Sequence, residues 1–175
     1  MHHLILGGAR SGKSGYAEAL LADSPEVLYV ATARPWPGDT DFAARIAEHQ
    51  RRRDPRWQTD DSSDLIDLLH TPPAPVLLVD DLGTWLTHEL DSAAAWDQPR
   101  GSIRPRCTAL IDAVSALDSS TTLVIVSPEV GMGIIPEHRA GRLFRDELGW
   151  LNAQLAEVLD SVTLVIAGQP LQIKT

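Results

Sequence analysis

Leu4-Ile5-Leu6-Gly7-Gly8-Ala9-Arg10-Ser11-Gly12-Lys13-Ser14 opens the chain, and its last eight residues complete the pattern G-x-x-x-x-G-K-[ST]. The apolar run before the glycines reads as a strand, and Tyr16 to Ala22 follows with helical spacing. A strand, a glycine-rich turn and a helix in that order make a phosphate loop. The glycines let backbone N–H groups turn inward around a β-phosphate, Lys13 reaches the β and γ oxygens, and the Ser14 hydroxyl is placed to ligate Mg²⁺.

Further apolar runs at residues 26–31, 76–80, 122–127 and 162–167 repeat the strand signal of residues 3–7. Helical patterns at 12–23, 40–53, 62–70, 103–117 and 139–160 separate most of them. Val76-Leu77-Leu78-Val79 and Leu123-Val124-Ile125-Val126 are apolar throughout rather than alternating, which requires cover on both faces. The pattern predicts an α/β fold: a mostly parallel sheet with helices on each side. Phe144, Leu148, Leu151, Leu155 and Leu159 form one stripe on the last helix. Leu171-Gln172-Ile173-Lys174 alternates after Gly168 and Pro170, as an antiparallel edge strand turning back on 162–167 would. Residues 34–41 read as a rigid proline-rich loop, and residues 91–106 as an irregular, mobile connection.

Three further clusters carry chemistry. Asp80-Asp81 closes the buried strand at its carboxyl end, where ligands bind in open α/β sheets. Alternation with Val76 and Leu78 selects Asp80 as the acid facing a metal or an acceptor hydroxyl; a solvated turn or a helix cap before Thr84 is the plainer explanation. On the helix at 40–53, Arg45, Arg52 and Arg53 share a face with His49. Their positive charge favours a neutral, nucleophilic imidazole and a clamp for polyphosphate. A solvated basic helix end would show the same run. Finally, Ser127-Pro128-Glu129-Val130-Gly131-Met132-Gly133-Ile134-Ile135-Pro136 leaves a buried strand with backbone free to approach a ligand, and Arg139, Arg142 and Arg145 follow at helical spacing. A structural crossover remains the alternative.

At 175 residues the chain has the size of one domain, 1–175, with a sheet-centred core. A net charge of −9 argues against a broad nucleic-acid surface. The one cysteine, Cys107, permits no internal disulfide and fits a reducing cytoplasm. No apolar stretch reaches the length of a membrane span, and a strand beginning within three residues leaves no room for a signal peptide.

Gly7 to Ser14, Tyr29-Val30-Ala31-Thr32-Ala33, Arg45-Ile46 with His49, and Trp57-Gln58-Thr59 together resemble one family. Glu129 to Pro136, Phe144-Arg145-Asp146 with Gly149 and Asn152, and Ala167-Gly168 with Lys174 extend the match over essentially the whole chain. It is the bifunctional adenosylcobinamide kinase/adenosylcobinamide-phosphate guanylyltransferase family. The resemblance implies a P-loop NTPase fold with a RecA-like sheet, and two reactions of cobalamin assembly. A γ-phosphate passes from GTP or ATP to the aminopropanol hydroxyl of adenosylcobinamide. GMP then passes from GTP to adenosylcobinamide phosphate through a guanylyl-histidine, with release of pyrophosphate. The histidine would be His49, with Lys13 and Asp80 as the other catalytic groups. Nucleotide contacts would fall on Gly7, Gly8, Ala9, Arg10, Ser11, Gly12, Lys13 and Ser14, on Ala31, Thr32 and Ala33, on Gln50, Arg51, Arg52 and Arg53, and on Asp61 and Asp80. Ser14 and Asp80 would hold Mg²⁺. A cytoplasmic homotrimer with sites between subunits is implied as well. Asp61 stands where the family usually has glutamate, Pro128 and His88 where asparagine is frequent, and the loop at 34–41 carries extra prolines. Two rivals stay open on the residues alone: a kinase for another small alcohol, which needs no His49, and a nucleotide-switched assembly module.

Overall fold

A strand without polar positions settles only where both its faces are covered. In the computed structural model, which describes residues 1–33, 40, 44, 47, 51 and 53–175, such strands form the middle of a sheet. Among the described residues the sheet has seven strands: β1 (His2–Gly7), β2 (Leu28–Ala31), β3 (Gln58–Asp60), β4 (Val76–Asp80), β5 (Thr122–Pro128), β6 (Ser161–Ile166) and β7 (Gln169–Lys174). Their order is β3-β2-β4-β5-β1-β6-β7. All neighbours pair in parallel except β6 and β7. The described helices are α1 (Lys13–Leu20), α2 (Leu65–His70), α3 (Leu82–Ser92), α4 (Arg104–Ser115) and α5 (Arg139–Val158).

Because successive strand side chains point to opposite faces, each central strand feeds two cores. Leu4, Val30, Leu77, Val79, Leu123 and Ile125 pack with buried residues of α2, α3, α4 and α5. Ile5, Tyr29, Leu78, Val124, Val126 and Val165 pack with Ala17 of α1, with Leu21 and with Trp57. The helices therefore cover both faces, as the apolar runs require. Leu148, Leu151, Leu155 and Leu159 are buried along one side, and Phe144 is partly so. Asp64 caps α2 by accepting from Ile66 N at 2.9 Å and Asp67 N at 3.1 Å. In the 40–53 stretch, the described residues Thr40, Ala44, Ala47 and Arg51 are helical.

Three features depart from the sequence expectations. β3 is short and polar, with Gln58 and Thr59 exposed, so no apolar pattern announces it; the strand is made by pairing with the edge of β2. α3 lies between two expected elements: Leu82, Trp85, Leu86 and Leu90 have helical spacing, but Gly83, Thr84 and Thr87 dilute its propensity. Residues 91–106 are fastened rather than loose. Trp96 Nε1 donates to Asp91 Oδ1 at 2.6 Å, Gly101 N donates at 2.7 Å to the fully buried Glu147 carboxylate, and Arg139 donates to the Trp96 and Gln98 carbonyls. An acid on α5 thus supplies the order that the connection's own sequence lacks.

The expected edge strand is present. Ala167 and Gly168 join it to β6 with φ of 51° and 77°, the positive values that a two-residue type I′ turn demands. Near the end of β7, Lys174 Nζ donates to Ala156 O at 2.8 Å, Glu157 O at 3.1 Å and Leu159 O at 2.7 Å. These carbonyls at the end of α5 have no partner farther along the helix, and a cation is favoured at the negative end of its dipole. Lys174→Met keeps the aliphatic stem and removes the donors; urea denaturation is expected to show a loss of about 1–2 kcal/mol.

Candidate active site

β1 delivers Gly7 to the carboxyl edge of the sheet, and the chain turns through Gly8 to Gly12 into α1. Space decides two of these glycines. A Cβ on Gly7 would lie 2.3 Å from Ser11 Oγ and 2.8 Å from the Val165 carbonyl oxygen. Gly12 has φ of 93°, and its Cβ would approach Gly168 Cα to 3.2 Å. Gly168 N also donates to Ser11 O at 2.7 Å, so the C-terminal hairpin buttresses the phosphate loop. No side chain caps α1, which leaves the N–H groups of its first turn, and the positive end of its dipole, to an anion. Lys13 Nζ donates to Gly8 O at 3.3 Å, and Ser11 Oγ is buried without a partner.

Opposite this loop, the structure separates the two adjacent acids. Asp80 lies two residues beyond Leu78 and shares its face. Its Oδ1 accepts from Ser14 Oγ at 3.2 Å, and its Oδ2 accepts from Tyr29 OH at 2.5 Å. Asp81 turns the other way and caps α3, accepting from Thr84 N at 2.9 Å. Burial, and then the Asp80 charge beside it, push the Asp81 carboxyl above the ordinary carboxylate value. Tyr29 was not anticipated as a site residue. It is 1% exposed, and burial followed by the Asp80 charge raises its phenol far beyond the usual range, so it stays a proton donor. A tyrosine in a buried strand needs a partner for its hydroxyl, and that was the available signal.

Arg53 joins this cluster: its guanidinium carbon lies 3.9 Å from the centre of the Tyr29 ring. Its Nε is buried without a partner, an unspent donor that suits an anion. Arg51 is exposed and bonds back to Ala47 O. His49, Gln50 and Arg52 lie outside the described residues, as do Arg45 and, apart from Thr40, the proline-rich loop at 34–41.

Ala31, Thr32 and Ala33 continue the same edge. Thr32 Oγ1 lies 2.6 Å from both Asp81 O and Thr84 Oγ1, tying the end of β2 to the start of α3. Ala31 and Thr32 line a cavity of about 150 Å³ with Ser62, Ser63, Trp85 and His88. Asp61 is exposed just before those serines, while Asp60 holds the turn through bonds from Ser62 N, Ser63 N and Ser63 Oγ. The structure thus gathers the phosphate loop, Asp80 and Arg53 in one cluster, and sets Ala31 and Thr32 around one cavity with Ser62 and Ser63, the residues that follow Asp61. For Mg²⁺, the Ser14 hydroxyl and the Asp80 carboxylate are adjacent hard oxygen donors at the mouth of a phosphate loop, the donor class that this ion takes. They fit it.

The family described as cobinamide kinase / cobinamide phosphate guanyltransferase matches residues 3–173. A bifunctional adenosylcobalamin biosynthesis protein of Salmonella typhimurium is 37% identical over 180 residues, covering 98% of each chain. The corresponding protein of Pseudomonas aeruginosa is 39% identical over 178 residues, covering 99% of this chain and 98% of its own. Among solved structures, an ATPase from the type III secretion system of pathogenic bacteria superposes with a TM-score of 0.52 at 10% identity. That alignment covers 93% of this chain and half of the ATPase, and it shows a shared fold. The P-loop NTPase architecture expected from the sequence is the one observed.

Two outcomes follow from the acid pair. Tyr29→Phe releases one oxygen of Asp80, and is expected to weaken Mg²⁺-dependent nucleotide binding about tenfold while leaving Mg²⁺-free binding unchanged, by calorimetric titration. Asp81→Asn keeps a capping side chain and removes the buried like charge. The raised carboxyl costs the folded wild type stability as pH climbs from the ordinary value of 3.8 toward its own higher one. The variant should therefore melt higher than wild type at pH 7, and the difference should vanish below pH 3.8.

Proposed function

Because the chain belongs to the cobinamide kinase / cobinamide phosphate guanyltransferase family, and is a bifunctional kinase and guanylyltransferase of adenosylcobalamin biosynthesis, we propose that both reactions run at the site around Gly7–Ser14 and Asp80. The observation that carries this reading is the Asp80 carboxylate, bonded through one oxygen to Ser14 of the phosphate loop and through the other to the buried Tyr29 hydroxyl. That arrangement orients an acid toward the triphosphate before any ligand arrives.

In the kinase reaction, the aminopropanol hydroxyl of adenosylcobinamide attacks the γ-phosphorus of GTP or ATP. The new O–P bond replaces the bond to the β–γ bridging oxygen, GDP or ADP leaves with that electron pair, and the hydroxyl proton passes to solvent. Lys13 and the N–H groups at the start of α1 hold the β and γ oxygens in place and offset their charge. Ser14 and Asp80 would hold Mg²⁺, which neutralises charge on the phosphate oxygens.

In the second reaction, a nitrogen of His49 attacks the α-phosphorus of GTP. A P–N bond forms and pyrophosphate leaves. The phosphate of adenosylcobinamide phosphate then attacks the same phosphorus, breaks the P–N bond and frees the imidazole. Two easier displacements replace one difficult one. Arg51, Arg52 and Arg53 offset the charge of the departing pyrophosphate. Gln50, Ala31, Thr32, Ala33 and Asp61 complete the nucleotide contacts. The reading takes residues 1–175 as one catalytic domain working as a cytoplasmic homotrimer. The exposed Ile166, Leu171 and Ile173 on the C-terminal hairpin offer apolar surface for such contacts. No helix among the described residues is long and apolar enough to cross a membrane.

Mass spectrometry after incubation with GTP and Mg²⁺, without corrinoid, tests the histidine route. The expected result is an acid-labile adduct of GMP mass that is absent from His49→Ala. An unmodified protein that still phosphorylates adenosylcobinamide would reduce the chain to a kinase, and one that does neither would end the proposal.

A further inference from the structure

One segment singled out in the sequence has no part in the chemistry above: the loop that follows β5. β5 lies between β4, which ends at Asp80, and β1, which ends at the phosphate loop. In register, Val126 faces Asp80 and Pro128 faces Gly7. The next residue, Glu129, donates its N–H to Gly7 O at 3.0 Å. The loop therefore emerges from the sheet between the acid and the phosphate site.

Its base is held from several sides. Buried Ser127 Oγ bonds Asn152 Oδ1 at 2.6 Å, and Asn152 Nδ2 donates to Pro128 O at 3.1 Å. Gly131 N donates to Glu129 Oε1 at 2.5 Å. From α5, Arg145 reaches Gly133 O at 3.3 Å and Arg142 reaches Pro136 O at 3.0 Å. Two of the three arginines at helical spacing thus hold this loop's backbone, and the third, Arg139, holds residues 96–98. The tip does the opposite of what a solvated loop should. Met132, Ile134 and Ile135 are 76%, 96% and 69% exposed, an apolar group presented to water on an anchored backbone.

Resting on the proposed function, we propose that this loop is the docking shelf for the corrin macrocycle of the acceptor, with Ile134 and Ile135 against the ring and Met132 adapting to its edge. The occupant follows from the chemistry of the acceptor. Its reacting hydroxyl sits on a short arm of a broad ring bearing methyl groups. Once that hydroxyl is in line with the γ-phosphate, the ring must lie beside the mouth of the phosphate loop. Among the described residues, the tip at 132–135 is an exposed apolar surface rooted there, whereas Ile166, Leu171 and Ile173 belong to the β6–β7 edge. Binding energy gathered on the non-reacting ring positions the arm for transfer. Methionine suits an irregular, polarisable surface.

The test uses the double variant Ile134→Ser/Ile135→Ser, with Ile134→Leu/Ile135→Leu as the conservative control. Equilibrium dialysis read by corrin absorbance should show adenosylcobinamide binding weakened about tenfold or more in the serine variant and retained in the leucine variant. GTP affinity should stay within about twofold of wild type. With aminopropanol alone as acceptor, which has no ring to dock, phosphorylation should be equally slow in wild type and variant. Unchanged corrinoid binding, or an equal loss with aminopropanol, overturns the assignment. So does a fall in molar mass by light scattering, which would make the tip a contact between copies of the chain. A wild-type protein that binds GTP but neither binds nor phosphorylates adenosylcobinamide would instead overturn the proposed function on which the shelf rests.

Discussion

Asp80 accepts one hydrogen bond from Ser14 and another from Tyr29, and so links the phosphate loop, β2 and β4 at the carboxyl edge of the sheet. A carboxylate in that position is costly unless its oxygens are engaged. The Tyr29 phenol is the donor, held protonated further by burial, and Arg53 lies over the same ring. The order of the strands makes these contacts possible. β2 and β4 are neighbours, β5 and β1 follow, and each parallel strand brings its carboxyl end to the same side.

The phosphate loop depends as much on its surroundings as on its own glycines. Gly7 is pressed against the Val165 carbonyl, and Gly12 against Gly168. The turn that contains Gly168 is bonded to Ser11 O, and the strand after it ends in Lys174, which caps α5. A chain of short-range contacts thus runs from the last residues of the sequence to the first loop. It gives a physical reason for Ala167-Gly168 and Lys174, which the family pattern supplies without explanation. α5 extends the chain through Asn152, Arg142 and Arg145 to the loop after β5. One helix therefore supports both flanks of the site while contributing no residue to the phosphate loop.

Much of this was legible in the residues. The eight-residue phosphate pattern, the unbroken apolar runs of β4 and β5, and the alternation that singles out Asp80 over Asp81 are local signals with local causes. β3 was invisible because three polar residues become a strand only by pairing with β2. The 91–106 connection read as loose because the acid that orders it, Glu147, is 46 positions beyond Gly101. The spacing of Arg139, Arg142 and Arg145 showed a shared helix face and not what that face meets, which is the backbone of two loops.

What the sequence determined by itself was the fold class, the phosphate-binding strand–loop–helix unit and the family. The first two follow from periodicity and from residues within a few positions of one another, where the backbone alone sets the distances; the family rests on a resemblance of motifs spread from Gly7 to Lys174. Tertiary structure decided the partners: that Tyr29 holds Asp80, that the C-terminal turn braces the phosphate loop, and that Asn152 of α5 holds the base of the loop after β5. Each joins positions far apart in the chain, and only the strand order of the folded sheet brings them within bonding distance.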